Sequence, residues 1–197
     1  MKKFILLFIL IFNFNYLIAK ENIMIMKLKD GEVHIELYED VAPNHVKRFK
    51  ELANNGSYNG VVFHRVIDGF MAQTGDVKFG KSDSKDFNLQ LAGTGGSDFP
   101  DLKAEFSDVP HERGILSAAR SSDPNSANSQ FFICFQAAPH LDRQYSVFGK
   151  VVKGMEFIDN IKKGSGPNGS VNDPDRIISI KSKKVSLIVD PFLILIK

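Results

Sequence analysis

The chain has a single cysteine, Cys134, and no tryptophan. One cysteine excludes an intramolecular disulfide and any Cys-rich metal site. Charge of one sign is also missing, since 25 Lys and Arg stand against 23 Asp and Glu. Lys2 and Lys3 lie in a leading segment without an acid, so the chain from Lys20 onward is neutral. A neutral chain gives no general reason to expect nucleic acid as a partner. The five histidines show no paired ligand spacing, so neither a metal nor a cofactor is expected. No apolar run reaches the ~20 residues of a membrane-spanning helix. Internal repeats and low-complexity tracts are absent.

What remains is ordinary globular material. The 197 residues are 43% hydrophobic and 24% charged, which suits one domain with tails. The front tail reads Met1-Lys2-Lys3, then an unbroken apolar run from Phe4 to Phe12, then Tyr16-Leu17-Ile18-Ala19-Lys20. A basic start, a short apolar stretch and a small residue at the cut form the layout of a secretory signal peptide over residues 1–19. The expected compartment is therefore the periplasm. The alternative is an uncleaved segment that anchors the chain in a membrane. Residues 20–184 would be the domain, and 185–197 an apolar tail interrupted by Asp190 and Pro191. That tail reads as an extra strand or arm, with a weak membrane or partner contact as the other reading.

Most of the middle carries the period-2 pattern of half-buried strands. Val33, Ile35 and Leu37 alternate with His34, Glu36 and Tyr38, and Asp30-Gly31 suits a hairpin turn before them. Eight such runs occur: 23–28, 33–37, 61–67, 70–74, 114–120, 129–135, 145–152 and 177–183. Two helices interrupt them. Pro43 opens the first, Val46, Phe49, Leu52 and Ala53 form its stripe, and Asn55-Gly56 closes it. The second carries Met155, Phe157, Ile158 and Ile161 between Gly154 and Gly164. The expectation is a mainly β domain: a closed eight-stranded antiparallel barrel capped by two helices.

Gly75 to Ser82 matches the phosphate-loop spelling G-x-x-x-x-G-K-[ST], but no helical stripe follows it and no βαβ alternation surrounds it. Without a helix N-terminus to face the phosphates, nucleotide binding is not expected. Cys134 sits within an apolar run and reads as a buried thiol. Gly93-Thr94-Gly95-Gly96 reads as a tight turn or a backbone-mediated contact.

The informative conflict lies in the strands. If Phe131, Ile133 and Phe135 face the core, Phe132 must point outward beside Gln130. Arg65 interrupts the apolar run Phe63 to Ile67, and Phe70-Met71-Ala72-Gln73 mixes large apolar groups with an amide. Apolar groups on an outer face beside an Arg and two Gln suggest a cleft with a few oriented polar groups.

The segment Phe63-His64-Arg65-Val66-Ile67-Asp68-Gly69-Phe70-Met71-Ala72-Gln73-Thr74-Gly75-Asp76 closely resembles the signature of the cyclophilin family of peptidyl-prolyl isomerases. Gly114 to Arg120, Asn128 to Ile133, Leu141-Asp142 and Val147 to Val151 resemble later blocks of that family in the same order. The resemblance runs from about Ile23 to Lys183. It implies the barrel inferred above and a catalytic Arg65. It also implies a substrate-binding set of Phe70, Met71, Gln73, Ala119, Arg120, Gln130, Phe132, Leu141 and Tyr145. Phe70, Met71, Phe132 and Leu141 would hold a proline ring, while Gln73 and the backbone near Arg120 would hold flanking carbonyls. Its partners would be proline-containing segments of unfolded or partly folded exported proteins, met by a monomer. A non-catalytic proline binder is the competing class, and an isomerisation assay on a short peptide separates the two. His140, Tyr145 and Arg120 stand where eukaryotic members carry Trp, His and Asn. Val77–Ala92 is longer than in compact members.

Overall fold

The computed structural model describes residues 22–166 and 168–183. The expected signal peptide at 1–19, the junction at Lys20, Lys184 and the tail at 185–197 lie outside the described residues. The chain begins with a hairpin, β1 (Ile23–Lys27) and β2 (Glu32–Leu37), closed by a Leu28 N–H to Gly31 carbonyl bond of 2.9 Å. Val33, Ile35 and Leu37 are buried in alternation, as the sequence pattern requires. α1 (Pro43–Asn54) then turns His45, Val46, Phe49, Leu52 and Ala53 inward.

The first turn of α1 has no acidic residue and no cap from its own N-cap, Ala42. Glu105 supplies one from a distant loop. Its carboxylate accepts the backbone N–H groups of Asn44 and His45, each at 3.1 Å, and the His45 Nδ1 contact at 2.6 Å. A carboxylate at a helix N-terminus meets unsatisfied donors and the positive end of the dipole.

The remaining elements are β3 (Arg65–Ile67), β4 (Met71–Thr74), β5 (Ile115–Ala118), β6 (Phe131–Cys134), a 3-10 turn (Pro139–Leu141), β7 (Val147–Lys153), α2 (Met155–Asp159) and β8 (Ser179–Ser182). All pairs are antiparallel, and the sheet order is β3-β4-β6-β5-β7-β2-β1-β8. Bulges at His34/Ile35 and Leu116/Ser117 add to its curl.

The expected closed barrel does not form: the ladder is a curled half-barrel with β3 and β8 as its edges. Between those edges run only isolated contacts. Among the described residues these include the Val62–Arg176 and Arg65–Ser170 bridges and the bonds Gly60 N–H to Ile177 carbonyl (2.8 Å), Phe63 N–H to Asp175 carbonyl (2.8 Å) and Ile177 N–H to Val61 carbonyl (2.9 Å). The reason is local. Asp173 has a left-handed φ of 52° and Pro174 has no N–H, so a regular strand cannot run through this stretch. The predicted strands at 61–67 and 177–183 shrink to Arg65–Ile67 and Ser179–Ser182.

Inside the curl, Phe49 packs against Phe131 at 5.2 Å, Tyr58 at 5.4 Å and Phe148 at 5.4 Å between ring centres. The Tyr58 hydroxyl donates to the Ser129 carbonyl at 2.8 Å, so its one polar group is satisfied.

Candidate active site

A second apolar cluster lies on the other face of the same strands. Met71, Phe132, Cys134, Ala138 and Leu141 are buried there, with Ile67, Phe70, Ala119 and Tyr145 packed against them. Phe132 lies on this outward face, as the alternation requires. Register aligns the polar members: Arg65 on β3 pairs with Gln73 on β4, and Gln73 pairs with Phe132 on β6. Directly paired residues share a face, so the three stand in one row.

The row is wired by hydrogen bonds. Arg65 Nη1 donates to Gln73 Oε1 at 3.1 Å, and Arg65 Nε donates to the Asn168 carbonyl at 3.0 Å. Gln73 Nε2 donates to Gln130 Oε1 at 3.0 Å. Gln130 Nε2 in turn donates to the carbonyls of Gly93 and Gly95 at 2.9 and 2.7 Å. Burial lowers the Arg65 pKa from its ordinary value, partly offset by Tyr145, yet a guanidinium remains the cation.

Above the row is a hollow of about 170 Å³ lined by Arg65, Phe70, Met71, Gln73, Ala119, Arg120, Phe132, Leu141 and Tyr145. The expected substrate-binding set therefore gathers in one place, except for Gln130. Gln130 lines an adjoining hollow of about 470 Å³, which shares Gln73, Ala119 and Arg120 with the first. His140 is exposed at the rim, its ring 5.4 Å from that of Phe70.

Support comes from behind. Phe132 meets the Tyr145 ring edge-on at 5.8 Å and stacks on His111 at 6.2 Å. His111 contacts Asp142 Oδ1 through Nδ1 at 2.9 Å and Ser117 Oγ through Nε2 at 3.1 Å. Its backbone N–H also donates to Asp142 at 2.7 Å. This ties down the turn that carries Leu141. The N–H bonds and imidazole hold the Asp142 carboxyl below its ordinary pKa.

Sequence reasoning missed most of the larger hollow. Thr94, Ser97, Asp101, Ser121, Ser126 and Asn128 line it alongside the glycines. It also missed Asp76, fully buried, which accepts Lys78 and Phe79 N–H on Oδ1 and Gly93 and Gly95 N–H on Oδ2, all within 2.7–3.0 Å. One carboxylate thus clasps both ends of Val77–Ala92. Gly93, at φ +101°, lies against the His64 ring, where a Cβ would come within 2.9 Å. The Gly-Thr-Gly-Gly run was the visible signal, and its expected backbone role holds through Asp76 and Gln130. Cys134 is buried, and burial pushes its thiol up to about 12, so it is inert.

A groove of apolar side chains with the Arg65 and Arg120 guanidiniums at its wall, on a curled antiparallel sheet, defines a peptide-binding class of site. Residues 23–184 match the family described as cyclophilin type peptidyl-prolyl cis-trans isomerase. A probable peptidyl-prolyl cis-trans isomerase of Brucella suis is 60% identical over 159 residues, covering 80% of this chain and 81% of its own. A peptidyl-prolyl cis-trans isomerase of Acinetobacter baylyi is 37% identical, covering 85% and 89%. Among solved structures, a Cryptosporidium parvum cyclophilin type isomerase, crystallised in the presence of the dipeptide Ala-Pro, superposes with a TM-score of 0.69. It is 27% identical, covering 83% of this chain and 99% of that one. The chain belongs to the cyclophilin-type peptidyl-prolyl cis-trans isomerases, enzymes that catalyse rotation about X–Pro bonds.

Proposed function

We propose that the smaller hollow holds the proline ring and that Arg65 is the catalytic residue. The observation that carries this is the Arg65 guanidinium, held by Gln73 at the edge of a hollow floored by Met71, Phe132 and Leu141. An X–Pro bond turns slowly because resonance opposes rotation with a barrier of ~18–20 kcal/mol. Twisting returns the lone pair to the proline nitrogen. A cationic donor at that nitrogen binds the twisted state better than either planar one, which lowers the barrier. No nucleophile or proton transfer is needed. Phe70, Met71, Phe132 and Leu141 hold the ring, and Gln73 and the backbone at Ala119–Arg120 fix one side of the bond while the other turns. Proline-containing segments are the ligands, as the Ala-Pro dipeptide of the Cryptosporidium protein suggests.

The setting we propose is the folding of exported proteins by a periplasmic monomer. Support comes from the basic, apolar and small-residue layout of residues 1–19. Fractionation with mass spectrometry of the mature N-terminus tests it. A periplasmic chain starting near Lys20 fits the proposal. A chain that keeps Met1 in the membrane fraction means an anchored enzyme, and a cytoplasmic one refutes export.

A further inference from the structure

Two guanidinium groups line the smaller hollow, and among the described residues neither meets a carboxylate. Arg65 spends its bonds on Gln73 and the Asn168 carbonyl. Arg120 is held entirely by neutral groups. Its Nη2 and Nε donate to the Gln144 carbonyl at 3.0 and 3.3 Å, its Nη1 donates to the Ser121 carbonyl at 2.8 Å, and its guanidinium carbon lies 4.4 Å from the centre of the Tyr145 ring. Carbonyls and a ring fix the fork without cancelling its charge. Elsewhere Arg113 pairs with Asp159 at 2.6 Å and Arg143 with Asp108 at 2.8 Å, whereas Arg48, which lines neither hollow, is held like Arg120 by a carbonyl and a ring.

Position gives this charge a use. Gln73, Ala119 and Arg120 are shared by both hollows, so they form the ridge between them, and Arg120 is its one charged member. A peptide with its proline seated in the smaller hollow and its chain continuing into the larger one must cross that ridge. Asp101 is the one acid on either wall. It lines only the larger hollow, and its Oδ1 already accepts Asn128 Nδ2 at 2.9 Å. The field at the ridge is therefore positive, made by a preorganised fork whose desolvation is only partial.

We propose that the Arg120 side chain is an acid-selecting subsite that favours peptides with Asp or Glu close to the proline. The proposal rests on the smaller hollow being the proline site. The attraction is that of a half-exposed ion pair, so Glu is favoured over Lys by about fivefold in kcat/KM at low salt. The preference shrinks at about 0.5 M salt, where exposed charges are screened.

The test uses short peptides around one Ala-Pro bond, with Ala, Glu or Lys placed singly at each of two positions on either side of the proline. Isomerisation kcat/KM is measured for the parent, Arg120→Gln, Arg120→Lys and Arg120→Glu. The Glu-to-Lys ratio is read within each variant, so an overall loss of activity does not disturb it. We expect one position at which the parent prefers Glu, Arg120→Lys keeps part of the preference, Arg120→Gln loses it and Arg120→Glu reverses it. A parent that turns over the all-Ala peptide without distinguishing Glu from Lys anywhere overturns the subsite alone. A preference that survives in Arg120→Gln overturns the assignment to Arg120. Failure to turn over the all-Ala peptide would instead refute the reading of the hollow on which the subsite rests.

Discussion

Phe131 and Phe132 are the same side chain at consecutive positions of one strand, and they do different work. Phe131 points into the curl, against Phe49 and Tyr58, whose hydroxyl is bonded to the Ser129 carbonyl. Phe132 points outward, against His111 and Tyr145, onto a hollow walled by Arg65 and Gln73. Both are almost fully buried, at 1% and 5% exposure, so burial does not separate them. What does is the company each face keeps. The inner face is closed by α1, whereas the outer face is left for a peptide to complete.

The largest effect we expect tests that separation. Phe131→Ala leaves a cavity among packed rings and should cost about 3–5 kcal/mol of stability. Phe132→Ala should cost less, because its ring borders a hollow already, yet should lower kcat/KM by about tenfold or more. Denaturant melts and isomerase assays on both variants check this. Equal stability losses with equal activity losses would erase the distinction between the faces.

The next effect concerns acid. The His64 ring is buried with both nitrogens unpartnered, and burial lowers its pKa from 6.5 to about 4, with Asp76 opposing. An unfolded chain takes up that proton near pH 6.5, whereas the folded one resists until about 4. Stability should therefore be full above pH 6.5 and fall by about 3 kcal/mol as the pH drops towards 4. His64→Gln should flatten this slope and leave activity at pH 7 nearly intact. Urea unfolding at several pH values is the measurement.

The glycine turn joins the two faces, so it should show both kinds of effect. Asp76→Asn sets an amide N–H₂ against backbone N–H donors and should cost about 2 kcal/mol. It should also raise KM more than it lowers kcat, because the larger hollow loosens while Arg65 stays in place. Smallest is Glu105→Ala, which removes the borrowed cap of α1. It should cost about 1 kcal/mol with unchanged isomerase kinetics, since that cap serves the inner face alone.

Period-2 alternation made the two faces legible in the sequence, because Phe131, Ile133 and Phe135 could not share a side with Phe132 and Gln130. The stripe of Val46, Phe49 and Leu52 likewise announced α1. Arg65, Gln73 and Phe132 were found through motif resemblance, and the strand register explains why they meet. What stayed hidden depends on contacts that no local pattern encodes. Glu105 reaches His45 across 60 positions, and Asp76 reaches Gly93 across 17. The gap in the barrel was also out of view. Counting eight strands says nothing about whether the sheet closes, and Asp173-Pro174 interrupts the stretch that runs beside residues 61–66. Gln130 falls in the second hollow because it precedes β6, one step beyond the outward row.

The most direct test of the account measures Arg65→Ala for turnover, peptide affinity and thermal unfolding on one preparation. The outer face is held to carry the chemistry through this guanidinium, acting chiefly on the twisted bond. The expected result is a kcat lowered about a hundredfold, or about 2.7 kcal/mol, with affinity changed only a few-fold and the melting temperature unmoved. Arg65→Lys should also be poor, because one ammonium does not reproduce the fork. A folded Arg65→Ala protein that turns over peptide at the parent rate would contradict both the mechanism and the placement of the site.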